Sequence, residues 1–410
     1  MFILILLATL ILTPAYTVRF NFFGMPANLL MMWVFLVWVV FFIWLMVKNQ
    51  LSQFLESVKN CHRKILVFTG LFFLSGLISL FVNGFSIAKF GQFIVLFLQP
   101  ILLFFIARYI FELSPQTKTR LLFTVYCLLA FAGLYAILQY LTLIGLPEIY
   151  WGNANEPKRA LSFFAHPNFY ALWSAPLLAL LIPDLFQNLK SSILNLKSFF
   201  WLLGALGLLF SFSRAGWLGL GAAMGIYLLI AGDKKIRKLA LAAVIVIVIV
   251  IVSIPNLRWR FVLPFYGEKS AVSRLSLWNT GAKAIKESPI LGLGLTGFNN
   301  NWQRLNTDPN LDTHNFPHNI FLNFWVETGL LGLISFLGLA SVLIYRGLRR
   351  SVIPDSDPGS RILDSRFRGN DTIKLSVALF LICLIFQGLI DNPYFKNDLA
   401  LVFWMVLSLF

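Results

Sequence analysis

Apolar runs of about 15 to 25 residues recur along this chain, separated by short polar stretches, and that pattern leaves little choice of fold. About 20 apolar residues are needed to cross roughly 30 Å of hydrocarbon as a helix. Inside lipid every backbone N–H and C=O must be satisfied within the segment, which a helix does and an open strand does not. The runs at 2–17, 27–47, 65–83, 87–111, 121–145, 167–185, 198–212, 215–231, 239–254, 317–345, 374–391 and 397–410 predict about twelve transmembrane helices in an all-α polytopic membrane protein. The first, seventh and last are short. With 59% hydrophobic and 12% charged residues, a soluble chain of 410 residues could not hide its apolar surface. The N-terminal MFILILLATLILTPAY has no basic segment before its apolar run, so it reads as a retained first span rather than a cleaved signal.

The net charge of +16 invites a nucleic-acid reading, but its distribution speaks against one. Nineteen of the basic residues fall in the loops that are inner if the N-terminus is cytoplasmic, from Lys48, Lys59, Arg63 and Lys64 to Arg346, Arg349 and Arg350. Short loops decide orientation, so the N-terminus is placed in the cytoplasm. The outer face then holds one long hydrophilic loop, 255–316, rich in Asn, Gly, Pro and Trp. Within it, Ser273 to Glu287 has Leu275, Trp278, Ala282 and Ile285 near one helical face, which predicts an amphipathic helix at the membrane–water interface, ended by Ser288-Pro289. A second polar stretch, 351–371, lies inside and reads as an inserted linker. Cys61, Cys127 and Cys383 form no CxxC, so neither a disulfide framework nor a thiolate metal site is indicated. The 42 phenylalanines suit lipid-facing surfaces, or a groove for a long acyl or isoprenoid chain.

Ionisable residues in or beside apolar spans are costly, about 2.5–3.5 kcal/mol for a mid-membrane arginine even on the lenient scale, and so point to function. Four lie on the outer face in this topology. Arg214 follows Ser211-Phe212-Ser213 at a turn between two spans; its guanidinium suits bidentate phosphate binding, although a snorkelling helix anchor would look the same. Arg274 opens the loop helix, where a solvated arginine is the plainer alternative. His318, after Pro317, stands where the long loop re-enters the membrane, and histidine exchanges protons near neutral pH. Asp391 ends a span, where a carboxylate opposes the helix macrodipole unless a cation is near. Glu327 lies deeper in the helix that follows His318 and reads as structural support. His314 and His318 share an i, i+4 spacing, but the intervening Pro317 and the lack of a third ligand argue against a metal. Gly292-Leu-Gly294-Leu-Thr-Gly297 matches GxGxxG, yet no strand precedes it; it reads as a turn shaping the loop's return to the membrane. Two guanidinium groups suit a diphosphate, and a histidine suits activation of a hydroxyl. Together they suggest an extracytoplasmic transferase using a lipid-linked phosphate donor.

The same residues resemble the O-antigen ligase family. His318-Asn319, nine residues, Gly329, two residues, Gly332 is similar to that family's signature. Ser211-Phe-Ser213-Arg214 looks like its Ser-x-Ser-Arg turn, and Arg274 to Gly297, with Trp278 and Ser288-Pro289-Ile, looks like its loop motif. The Asp391-Asn392 ending also fits. The resemblance spans most of 160–410 and divides the chain into N-terminal transmembrane helices at 1–160 and a ligase-like region at 161–410. It implies a GT-C-like, metal-independent glycosyltransferase without a cofactor, in the bacterial inner membrane with its active site periplasmic. Such an enzyme moves a glycan from undecaprenyl diphosphate to lipid A–core oligosaccharide. Arg214 and Arg274 would bind the diphosphate with Asn319 beside the substrate, His318 would activate the acceptor, and Asp391 would assist; Gly329 and Gly332 would be structural. A polysaccharide polymerase or a protein O-glycan ligase shares the signature. A transporter, from a different class, would expect an internal repeat and mid-membrane charges, and neither is evident.

Overall fold

The computed structural model describes residues 2–22, 25–153, 157–191, 195–231, 269–306, 314–352 and 369–410, with isolated positions at 237–238, 241, 252–253, 308 and 311. Most of the run at 239–254 and of the insert at 351–371 therefore lies outside the described residues, as does the first part of the 255–316 loop. The protein is predominantly helical. Among the described residues seven helices are long and apolar enough to cross a membrane: Leu29–Val47, Arg63–Phe81, Ile87–Leu113, Gln116–Thr142, Arg214–Ala231, Ile320–Arg349 and Asp371–Gly388. Leu196–Phe210 and Asn397–Leu407 are apolar but shorter.

Local chemistry accounts for the departures from the expected spans. The first run stops being α-helical at Ile11 and continues as a 3₁₀ turn, Thr13–Thr17, because Pro14 lacks an N–H and restricts the residue before it. The run expected at 167–185 is two helices, Pro167–Leu180 and Ile182–Ser191, parted just ahead of Pro183. A two-stranded antiparallel hairpin, Arg19–Phe22 with Met25–Asn28, interrupts the otherwise helical chain. Asn28 closes it and caps the next helix, its Oδ1 accepting from Met31 N at 2.9 Å.

The chain divides into two compact units. The first comprises Met1–Leu128, Leu277–Leu343 and Asp391–Phe410. Its centre is aromatic: Phe72, Phe97, Phe324, Phe336, Tyr394 and Trp404 are all buried, with Phe324 and Phe336 stacked at 4.4 Å. Two hydrogen bonds through the Tyr394 hydroxyl pin this cluster. Pro100 has no N–H to give the carbonyl four residues back, and the adjoining Ile94–Leu98 segment winds as a π-helix. The Leu96 carbonyl instead accepts the Tyr394 hydroxyl at 2.5 Å, and Trp404 Nε1 donates to the same hydroxyl oxygen at 3.1 Å.

The second unit, Leu129–Ser276 and Ile344–Ile390, packs helices through small residues. Gly219 faces the Cys383 carbonyl so closely that a Cβ there would lie 2.6 Å from the oxygen. Gly207 and Gly133 meet in the same way, a Cβ on Gly207 falling 2.5 Å from the Gly133 Cα.

Candidate active site

Within the first unit His318 and Asp391 are brought together, His318 Nδ1 lying 2.9 Å from Asp391 Oδ1. The histidine side chain is 26% exposed and the aspartate 4%. Asp391 Oδ1 also accepts the Asn392 backbone N–H at 2.9 Å, as suits an ionised carboxylate. Opposite an ionised carboxylate, which only accepts, Nδ1 would carry the proton and a neutral imidazole would have Nε2 as its basic nitrogen. That is the tautomer a general base requires.

The backbone at His318 is left-handed, φ 47°, which costs a residue with a Cβ roughly 1–2 kcal/mol. Such a conformation persists only where its surroundings enforce it. Pro317 is buried on one side, Trp278 Nε1 reaches the His318 carbonyl at 3.4 Å, and Asp391 holds the ring. Asn319 then starts the helix Ile320–Val352: its Oδ1 accepts from Phe321 N at 3.0 Å and Leu322 N at 3.1 Å, an N-cap. The side chain read from sequence as substrate-facing thus has its oxygen engaged in capping.

Gly329 breaks that helix, with φ 67° and ψ −172°. The backbone groups freed by the break pair with the returning loop. Leu293 N donates to Val326 O at 2.6 Å, and Leu330 N donates to Ile290 O at 2.9 Å. Gly292, also at positive φ, sits where a Cβ would lie 2.5 Å from Val326 O and 2.6 Å from Trp325 O. The dinucleotide-like glycine pattern is therefore a seam between the loop and the helix break. Its other edge is held by Leu295 N to Ser79 O at 3.2 Å and Asn83 Nδ2 to Leu293 O at 3.2 Å. Lys89, buried, closes the end of the Arg63–Phe81 helix by donating to the carbonyls of Val82 at 2.8 Å and Gly84 at 2.7 Å.

Glu327 is buried beneath this seam and accepts the backbone N–H of Phe298 at 3.1 Å, with the amides of Thr296 and Gly297 also directed to it. Glu327→Gln keeps an oxygen for these donors, whereas Glu327→Leu strands them at about 1–3 kcal/mol for each amide left unpaired. Thermal unfolding of the detergent-solubilised protein should place Glu327→Gln near wild type and Glu327→Leu well below it. Equal losses in both variants would mean that the carboxylate's charge, not its acceptor role, is what matters.

The loop helix runs Lys269–Glu287 and buries one face in the protein while part of the expected interfacial stripe stays exposed. Leu277, Thr280 and Ala284 are buried, while Leu275 is 58% exposed. Leu277 and Ala284 join Leu293, Phe298, Trp302, Leu305 and Val326 in a small core, so this part of the loop packs on its own residues and on the helix break. At the end of this helix Glu287 is paired to Arg304, Oε1 to Nη1 and Oε2 to Nη2 both at 2.7 Å, and these hydrogen bonds hold its carboxyl below the usual range.

Both arginines belong to the second unit. Arg274 Nε donates to Ile390 O at 3.0 Å, the residue before Asp391. Arg214 is half-buried at the first position of the helix Arg214–Ala231. The turn before it is tightly determined: Ser211 Oγ donates to Leu208 O at 2.6 Å, Ser213 N donates to Ser211 Oγ at 3.2 Å, and Phe212 is left-handed at φ 49°. A cation at a helix N-terminus opposes the macrodipole, and both attract an anion to the same place. Among the described residues no group of His, Cys, Asp and Glu has the arrangement of a metal site.

Residues 198–337 match the model of a family described as O-antigen ligase. That stretch contains Arg214, Arg274, His318, Asn319, Glu327, Gly329 and Gly332, and Asp391 lies beyond it. The chain is also similar to the exopolysaccharide production protein ExoQ of Rhizobium meliloti (strain 1021), 32% identical over 111 residues. The aligned part is 25% of this chain and spans about a quarter of the relative's length (25%).

Proposed function

Since the chain belongs, through residues 198–337, to the O-antigen ligase family, we propose that it is an inner-membrane glycosyltransferase that moves a glycan from undecaprenyl diphosphate to lipid A–core oligosaccharide at the periplasmic face. The observation that carries this reading is the His318–Asp391 pair, which leaves Nε2 as the basic nitrogen of a part-exposed imidazole. In the proposed reaction His318 Nε2 takes the proton of the acceptor hydroxyl as its oxygen bonds to the anomeric carbon. The bond from that carbon to the diphosphate oxygen breaks, and undecaprenyl diphosphate leaves with the electron pair. Arg214 and Arg274 neutralise the charge that develops on it. Asp391 keeps the imidazole in the required tautomer and stabilises its protonated form. The energy comes from the donor's own diphosphate linkage, so no nucleotide is needed outside the cytoplasm.

The similarity to a protein named for exopolysaccharide production favours one second reading, in which the acceptor is a growing polysaccharide. Deleting the gene and examining surface glycan distinguishes these readings. A ligase defect leaves polymer on the lipid carrier and bare core; a polymerase defect leaves core bearing a single repeat. Normal glycan attachment would overturn both and favour a transporter. The mechanism also needs the 255–316 loop outside the cytoplasm. A reporter fused within it should score as periplasmic, and a cytoplasmic signal would reverse the topology.

A further inference from the structure

The helix Leu196–Phe210 ends in carbonyls that its own backbone cannot satisfy, and a segment well upstream satisfies them. Ala160 N donates to Phe210 O at 2.8 Å. Arg159 Nε donates to Ser211 O at 3.0 Å, where a cation also meets the negative end of the helix dipole. The same guanidinium reaches a third segment, Arg159 Nη2 donating to Asn168 Oδ1 at 2.6 Å. Asn168 is fixed in turn, its N–H donating to His166 Nδ1 at 3.0 Å at the start of the helix Pro167–Leu180. The Arg159 backbone is itself anchored by its N–H to Tyr150 O at 3.0 Å. All of these groups lie in the second unit, and Arg159 lies outside the family-matched stretch.

Ser211 is the residue on which the next turn depends. Phe212 follows it in the left-handed region, then Ser213, then Arg214. A shift of the Ser211 carbonyl would rotate the Phe212 peptide and re-aim the first residue of the following helix. We infer that Arg159 is a positioning residue for Arg214: its two-directional fork holds the Ser211–Phe212–Ser213 turn in the one shape that presents the Arg214 guanidinium to a diphosphate. Arg159 acts through the turn and does not touch the ligand. The inference rests on the proposed role of Arg214 in diphosphate binding.

The test uses the full chain in lipid nanodiscs and undecaprenyl diphosphate as probe. Arg159→Gln should raise the Kd about tenfold or more, the size expected on losing a charged hydrogen bond that orients the site. Arg159→Lys, which keeps the charge but reaches one acceptor rather than two, should fall between Arg159→Gln and wild type. In an Arg214→Ala background Arg159→Gln should add little, because the two act as one unit. A wild-type Kd in Arg159→Gln, or full additivity with Arg214→Ala, would overturn the inference. Where Arg159→Gln does not accumulate, Arg159→Lys decides the matter, and a wild-type Kd there has the same force.

A second readout needs no lipid ligand. Arg214→Cys, in a background with Cys61, Cys127 and Cys383 changed to serine, is labelled in detergent with a charged maleimide. Arg159→Gln should change the labelling rate several-fold, and an unchanged rate overturns the positioning role. If wild type does not bind undecaprenyl diphosphate while the labelling rate still responds, the donor assignment fails and the hold of Arg159 on the turn stands.

Discussion

His318→Ala should lower glycan transfer by about 10²–10⁴-fold, the usual contribution of a positioned acid–base group, while the protein still inserts and keeps its helix content. The side chain is part-exposed and fills no core position, so its loss opens no large cavity. What the variant loses is the base, and alanine at a left-handed position adds a modest backbone cost at most comparable to that already borne by histidine. Asp391→Asn is the companion test. An amide can donate to Nδ1, which stabilises the wrong tautomer and removes the charge opposite the imidazolium, so activity should fall steeply with the fold intact. Transfer is to be measured on purified, reconstituted protein beside circular dichroism. Ordinary turnover by His318→Ala would remove His318 from the chemistry.

The second large effect is on stability. Gly329→Val should cost more than about 3 kcal/mol and release the loop from the helix break. Gly329 combines a left-handed φ with close approach of the Ile290 and Leu291 backbone, and a Cβ would lie 2.7 Å from the Leu291 carbonyl carbon. Valine adds a branched Cβ to a conformation that disfavours any Cβ, and it must push away the strand of loop whose Ile290 carbonyl pairs with Leu330 N. The expected result is rapid proteolysis within 288–306 and a large drop in unfolding temperature. Gly221→Ala is the matched control: a Cβ there meets nothing within 4 Å, in a helix interior where alanine is favoured over glycine by about 1 kcal/mol. If both variants behaved alike, the helix break would have no special role.

Much of this site can be read from the residue order because the features concerned are local or periodic. The long apolar spans follow from lipid's demand for internal hydrogen bonding, and the His318-Asn319 to Gly329-Gly332 spacing is a linear pattern. A carboxylate at a helix end needs a cation nearby, so residue order offers an arginine or the histidine as partner for Asp391 without choosing between them. The contact itself joins residues 73 positions apart and needs the fold. On the loop helix, Leu275 and Ala282 of the stripe expected at the membrane–water interface stay exposed, whereas Leu277 and Ala284 are buried. What selects between them is the small core around Phe298 and Trp302, contributed by later residues. The 19–28 hairpin is too short for a period-two pattern to stand out against the apolar runs on either side. Arg159 left no signal at all: a lone basic residue in a polar loop looks solvated until its partners at Ser211 and Asn168 are known. Asn319 shows the reverse, a residue assigned to substrate whose oxygen the structure uses to start a helix.

In the proposed reaction, glycan transfer and release of the lipid carrier are a single event. The most direct measurement reconstitutes the purified chain with an undecaprenyl-diphosphate-linked glycan and lipid A–core, then quantifies both products by mass spectrometry. Glycosylated lipid A–core and free undecaprenyl diphosphate are expected in equal amounts, both falling by about 10²–10⁴-fold in His318→Ala. Recovery of the donor intact, with its glycan still attached to the carrier in the presence of the active-fold protein and every acceptor tested, would contradict the proposed reaction.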